Sequence, residues 1–204
     1  MKIVCLDLEG VLVPEIWIAF AERTGIPELR RTTRDEPDYD KLMKFRLGLL
    51  AQHKLGLPDI QKVIGEMSPL PGARAFLDKL REDYEVIILS DTFYEFAHPL
   101  MRQLAWPTLF CHCLEADANG VLIDYHLRMP EQKKEAVKRF REMNFNVVAA
   151  GDSYNDTAML KEANAGILFH PPENVIREFP QFPVTRSYDE LRHEIDQAFA
   201  RIDH

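Results

Sequence analysis

Long apolar runs are absent from this chain, and so is any cluster of Lys and Arg. The first absence excludes a membrane-spanning helix, which needs about 20 consecutive apolar residues. The second, together with a formal net charge of -8, excludes extended nucleic-acid or anionic-membrane binding, because phosphates would be repelled. Cysteine is scarce too: three residues in no regular framework imply buried thiols in a reducing compartment, not a disulfide scaffold. The start, Met-Lys-Ile-Val-Cys-Leu-Asp, meets an acid too soon for a signal peptide or a membrane helix, so the cytoplasm is the expected location. There is no internal repeat and no low-complexity tract. The seven histidines form no His-Glu-x-x-His pattern. Cys111-His112-Cys113 has no second pair at zinc-ligand spacing, and on a strand its two cysteines face one side.

What remains has the composition of a folded chain, with 204 residues, 46% hydrophobic and 28% charged. Such a length exceeds a typical domain of roughly 100 to 150 residues and suggests one core with a small insertion. Short apolar runs at 3–6, 86–89, 147–150 and 166–169 alternate with helical patterns. Because these runs are continuously apolar, they suit central strands covered by helices on both faces. The expected fold is therefore α/β, a doubly wound parallel sheet. The interval between the first two strands is too long for one crossover helix and carries helical patterns at 14–24, 39–54 and 59–66. The densely charged 30–40 reads as a surface loop or helix end. Ser68-Pro69-Leu70-Pro71-Gly72 reads as the return to the core. The expected division is a core of 1–13 and 70–204 with a helical insertion at 14–69. Asn119-Gly120 signals a hairpin before a helix that starts at Pro130, and 189–202 is an amphipathic terminal helix that packs on the sheet.

Three of the apolar runs end in polar groups: Asp7 after the first, Ser90 and Asp91 after the second, Gly151 and Asp152 after the third. In an open α/β sheet such groups converge at the carboxyl edge, where ligands bind. Asp7 and Glu9 are two carboxylates two residues apart as the chain leaves a strand. One can attack phosphorus and the other can protonate the departing alkoxide and then activate the acceptor. Ser90 can donate to a phosphoryl oxygen, its ordinary alternative being an N-cap. Lys133 and Lys134 are both available to neutralise transition-state charge; a helix starting at Pro130 puts Lys133 in its first turn and favours it. Gly151-Asp152-Ser153-Tyr154-Asn155-Asp156 gathers hard oxygen donors of the kind magnesium prefers. His170 lies at a strand end, where a loop role is the expected one, and Trp17, Phe20, Phe45 and Phe96 read as core or cap lining.

Asp-x-Glu-Gly-Val, a Ser after an apolar strand, a downstream Lys and Gly-Asp-Ser-x-Asn-Asp together resemble the four motifs of the haloacid dehalogenase superfamily. The helical insertion between the first two motifs is similar to that of the capped phosphoserine phosphatases. The resemblance implies a Rossmann-like core with a small helical cap and Asp7 as a transiently phosphorylated nucleophile. It also implies Glu9 as general acid/base, Ser90 and Lys133 as a phosphate clamp, and Asp91 and Asn155 beside the substrate. Asp152 would join Asp7 and the Glu9 main-chain carbonyl around Mg2+, with Asp156 in support. Glu15 and Arg46 match the family's positions for reading the substrate's ammonium and carboxylate, a pairing that suits a zwitterionic phosphoamino acid in charge. Where most of the family has a second Asp, this chain has Glu9, a departure resembling those members that also pass the phosphoryl group to homoserine. The expected partners are thus phosphoserine and homoserine, with no nucleic acid or membrane, and a homodimer is compatible with the sequence. The rival readings are a phosphatase of another small phosphomonoester and a non-catalytic phosphoamino-acid binder.

Overall fold

The computed structural model describes residues 1–32, 35–36 and 38–203. In chain order the elements are β1 (Lys2–Leu6), α1 (Ile16–Thr24), α2 (Tyr39–Gln52), α3 (Leu57–Gly65), α4 (Ala73–Asp83), β2 (Glu85–Phe93) and α5 (Tyr94–Gln103). They continue with β3 (Thr108–Ala116), β4 (Leu122–His126), α6 (Gln132–Glu142), β5 (Asn146–Gly151) and α7 (Thr157–Glu162). The chain ends with β6 (Ala165–Phe169), α8 (Glu173–Glu178), β7 (Val184–Thr185) and α9 (Tyr188–Ile202).

One sheet of order β4-β3-β2-β1-β5-β6-β7 holds all the strands, parallel except for the β3–β4 hairpin. The strand order reverses at β1, which is flanked by β2 on one side and β5 on the other. A crevice opens where strand order reverses, at the carboxyl ends of the strands. Strand side chains alternate between two cores. Val4, Leu6, Ile88, Val148 and Ala150 pack with α4, α5, α9 and the inserted helices, whereas Ile3, Cys5, Leu89, Val147 and Ala149 pack with α6 and α7. By the same alternation Asp7 belongs to the α6 side, from which Lys133 comes.

The inserted helices α1, α2 and α3 follow β1, and the chain returns beside its point of exit, where the Leu70 N–H donates to Leu12 O at 2.9 Å. Asp38 caps α2 by accepting from the Lys41 N–H at 3.2 Å. In the charged stretch 30–40, Asp35 lies in a turn, while Thr33, Arg34 and Pro37 lie outside the described residues.

Two boundaries and one pair of side chains differ from expectation. β2 runs on to Phe93, so Ser90 and Asp91 lie inside a strand; pairing with β3 resumes at Phe93–His112 after an irregularity that begins past Leu89. The β-branched and aromatic Thr92 and Phe93 sustain this extension. α6 starts at Gln132 rather than Pro130 because Glu131 takes a left-handed φ of 47°, but Lys133 stays in its first turn. Cys111 is buried and Cys113 exposed, because β3 leaves the parallel sheet there and enters its hairpin with β4. Among the described residues no helix is long and apolar enough to cross a membrane.

Candidate active site

The ends of β1, β2 and β5 meet around Asp7. Its N–H continues the sheet by donating to Ala150 O at 2.9 Å, so its Cα is fixed by the core. Its Oδ1 accepts from the Leu8 N–H at 2.7 Å and lies 2.9 Å from Lys133 Nζ, which orients the carboxylate. Just beyond, the chain doubles back: Leu12 N–H and Val13 N–H both donate to Leu8 O, and Gly10 N–H donates to Val13 O. Gly10 carries this turn at φ 77°, and a Cβ there would run into the Asp152 carboxylate. Only glycine meets both demands, a left-handed backbone and a close approach to a neighbouring acid.

Lys133 is buried and touches three carboxylates: Asp7 Oδ1 at 2.9 Å, Asp156 Oδ1 at 2.8 Å and Asp91 Oδ2 at 3.6 Å. Burial opposes its charge, but Asp156, Asp7 and Asp91 outweigh burial and hold it as an ammonium well above the usual lysine range. Lys134 points away and pairs with Glu131 on the surface. The fully buried Asp156 is committed to this scaffold: its other oxygen accepts from Asp152 N–H at 3.0 Å and Ser153 N–H at 3.2 Å, closing the turn after β5.

Ser90 is buried, and its hydroxyl oxygen accepts from the Thr92 N–H at 3.2 Å, which leaves the hydroxyl hydrogen free to donate. It is not an N-cap; Phe93 holds that position for α5. The Asp91 carboxylate accepts from Asn155 Nδ2 at 3.2 Å and Gln132 Nε2 at 3.2 Å, with His112 Nε2 3.8 Å away. Burial would raise its pKa, but Lys133, Gln132 and Asn155 prevail and hold it below the usual carboxylate range.

Asp7, Ser90, Asp91, Lys133 and Asn155 share a cavity of about 440 Å³ with Glu9, Glu15 and Arg46. Glu9 Oε2 accepts from the Ile16 N–H at 2.9 Å, at the first turn of α1, so the acid spans from core to inserted helix. Burial and the facing Glu15 push its pKa up to about 7, against the Ile16 N–H, Lys133 and Arg46. Glu15 is exposed at the start of α1 and lines the cavity without capping the helix. Arg46 is buried, its guanidinium lying 4.4 Å over the Trp17 ring and donating from Nη2 to Arg31 O at 2.7 Å. Burial lowers its pKa to about 10, partly offset by Tyr39, Glu9 and Glu15, so it stays charged. Its Nε is buried with no hydrogen-bond partner among the described residues, a donor whose desolvation none of them repays.

Asp7, Asp152 and Asp156 offer carboxylate oxygens within 4.8 Å of one another. Burial, then Asp156, push Asp7 well above the usual range against the pull of Lys133; burial, then Asp156 and Glu15, push Asp152 up to about 7. Asp156 is taken up by Lys133 and the turn, which leaves Asp7 and Asp152 as adjacent hard oxygen donors that repel one another. Beside them the Gly10 backbone has been cleared of any Cβ. Hard carboxylate oxygens gathered this closely are the donor chemistry that a small divalent cation takes.

Tyr39 and Gln132 were not singled out by the sequence, and His112 entered only as the middle of a Cys-His-Cys tripeptide set aside as a metal motif. Tyr39 lines the cavity and its hydroxyl donates to Asp91 O at 3.4 Å. Its position directly after an Asp N-cap, at the mouth of an inserted helix, was the available signal. Nothing in the pattern marks Gln132, or His112 as a neighbour of Asp91, because both contacts depend on how β3 returns. His170 does not line the cavity. Trp17 does, through its packing with Arg46.

Residues 1–164 match the haloacid dehalogenase-like hydrolase family. The chain is 61% identical over 201 residues to the phosphoserine phosphatase ThrH of Pseudomonas aeruginosa, covering 98% of each chain. It is 60% identical over 201 residues to a phosphoserine phosphatase of Pseudomonas syringae pv. tomato, covering 98% of this chain and 85% of the other. Its fold matches the crystal structure of phosphoserine phosphatase from T. onnurineus with a TM-score of 0.72 and 25% identity, over 95% of this chain and 94% of that one. With the family match running over residues 1–164 and relatives of 60% identity or more covering nearly the whole chain, the protein belongs to the haloacid dehalogenase-like hydrolases.

Proposed function

We propose that the protein is a Mg2+-dependent phosphoserine phosphatase that works through an aspartyl phosphate on Asp7 and also transfers the phosphoryl group to homoserine. The observation that carries the substrate is the unpaired, buried Nε of Arg46 in the cavity that Asp7 and Lys133 share with Glu15. A substrate carboxylate satisfies that donor, its ammonium faces Glu15, and its phosphate reaches Lys133 and Ser90. The relatives named phosphoserine phosphatase support the same reading.

In the first half-reaction an Asp7 carboxylate oxygen bonds to phosphorus, the bond from phosphorus to the seryl oxygen breaks, and Glu9 gives that oxygen its proton. In the second, Glu9 takes a proton from water or the homoserine hydroxyl, whose oxygen attacks phosphorus as the Asp7–phosphorus bond breaks. Lys133 and Ser90 hold the phosphoryl oxygens throughout, and Asp91 holds Lys133 and Asn155 in place; a phosphate oxygen would be repelled by its carboxylate. When bound by Asp7, Asp152 and the Glu9 carbonyl, Mg2+ supplies positive charge against the phosphoryl oxygens. Residues 14–69 act as the cap that reads the amino acid, and 1–13 with 70–204 as the phosphotransfer core. The three free thiols suit a reducing, cytoplasmic setting.

The test is a substrate panel with Mg2+: phosphoserine, phosphoethanolamine, phosphoglycolate and a sugar phosphate, each with and without homoserine. Phosphoserine is expected to lead the panel, and homoserine to yield phosphohomoserine at the expense of free phosphate. Equal rates across the panel would overturn the substrate assignment, and absence of phosphohomoserine would remove the transfer branch.

A further inference from the structure

We propose that Gln132, oriented by Arg128, is a positioning residue that registers Ser90 against Lys133 so that both meet one phosphoryl group. Gln132 is buried and every polar atom of its amide is used. Nε2 donates to Ser90 O and to Asp91 Oδ1, the latter at 3.2 Å; Oε1 accepts from Arg128 Nη2 at 2.9 Å and Nε at 3.3 Å. Arg128 Nη2 also reaches the Gln132 carbonyl at 3.3 Å. The guanidinium lies 5.2 Å from the Phe110 ring centre, and the backbone N–H of Arg128 donates to His112 Nδ1 at 3.1 Å.

This arrangement accepts only one orientation of the amide. Turned over, it would set its oxygen against the Ser90 carbonyl and the Asp91 carboxylate, and its NH2 against a cation. Glu would bring a third negative oxygen to the same place, Met would bond to nothing, and Asn is one methylene short. Gln132 directly precedes Lys133, so holding its side chain to β2 sets where α6 begins relative to the strand end. Ser90 comes from β2 and Lys133 from α6, and no other side-chain hydrogen bond in the described residues joins the Ser90 backbone to α6.

The proposal rests on the reading of Ser90 and Lys133 as the phosphate clamp, and its test separates the two. Inorganic phosphate binding in the presence of Mg2+ is measured by calorimetry for wild type, Gln132→Met, Arg128→Met and the double variant. Thermal melts, phosphoserine hydrolysis and inhibition by serine are followed alongside. Gln132→Met is expected to weaken phosphate binding by about tenfold or more and to lower kcat, while inhibition by serine, which reads Glu15 and Arg46, stays at the wild-type value. Arg128→Met should shift both quantities in the same direction by less, and the double variant should be no worse than Gln132→Met alone. A merely structural role would lower the melting temperature and leave phosphate affinity untouched. Should Gln132→Met not fold, the exposed Arg128→Met decides on the same readout. Wild-type phosphate affinity in the folded variants, or additive losses in the double variant, would overturn the proposal even if the wild type hydrolyses phosphoserine. A wild type that binds phosphate but leaves phosphoserine intact would instead overturn the functional reading.

Discussion

Asp7→Asn is expected to lower phosphoserine turnover by about four orders of magnitude or more, since loss of a covalent nucleophile removes the pathway and not merely some binding. Without divalent cation, the same change should leave the fold as stable as wild type or more so. Asp7 is buried with Asp152 and Asp156 oxygens within 4.8 Å, and an amide relieves that repulsion. Lys133 keeps Asp156 and Asp91 as partners. Adding Mg2+ should reverse the order. A cation at one hundred times its dissociation constant stabilises the wild type by about 2.7 kcal/mol, and Asp7→Asn, with one ligand weakened, should gain far less. Thermal melts with and without Mg2+ read this independently of activity. Turnover by Asp7→Asn within tenfold of wild type would remove Asp7 as nucleophile.

Arg46→Met should lower kcat/KM for phosphoserine by about 10- to 100-fold, the worth of a charge-assisted hydrogen bond in a buried site. Most of the loss should appear in KM, because the carboxylate is bound equally in ground and transition states. The guanidinium also stacks on Trp17 and bonds Arg31 O, so a loss could reflect local repacking. A second substrate separates the two causes. Phosphoethanolamine keeps the ammonium and the phosphate but lacks the carboxylate; it should be a poor substrate for wild type and no poorer for Arg46→Met. A proportionate fall for both substrates would mean that Arg46 supports the site without reading the carboxylate.

The core strands were legible because β1, β5 and β6 are buried on both faces and must therefore be continuously apolar. The polar residue that ends each run then marks the crevice, which is how Asp7 and Asp152 stand out. Lys133 was only favoured over Lys134, from a helix start expected at Pro130; the start at Gln132 keeps Lys133 in the first turn, and adjacent helical residues point roughly 100° apart. The extension of β2 through Ser90 and Asp91 was not legible, because it depends on β3 resuming its pairing at Phe93. Gln132 carries no sequence signal for the same reason, and His112 reads only as the middle of a cysteine pair. They act through contacts that exist only after the hairpin returns the chain to β2, and no periodicity encodes such a return. Arg46 and Glu15 stood out through likeness to a family; helical spacing by itself marks an arginine on α2 no differently from its solvent-facing neighbours.

Mass spectrometry of acid-quenched enzyme mixed with phosphoserine and Mg2+ tests the aspartyl phosphate most directly. The peptide containing Asp7 is expected to carry one phosphoryl group during turnover, to lose it when substrate is exhausted, and to lose it faster when homoserine is added. An enzyme that turns over phosphoserine with no such adduct, or with the phosphoryl group on any residue other than Asp7, would contradict the account.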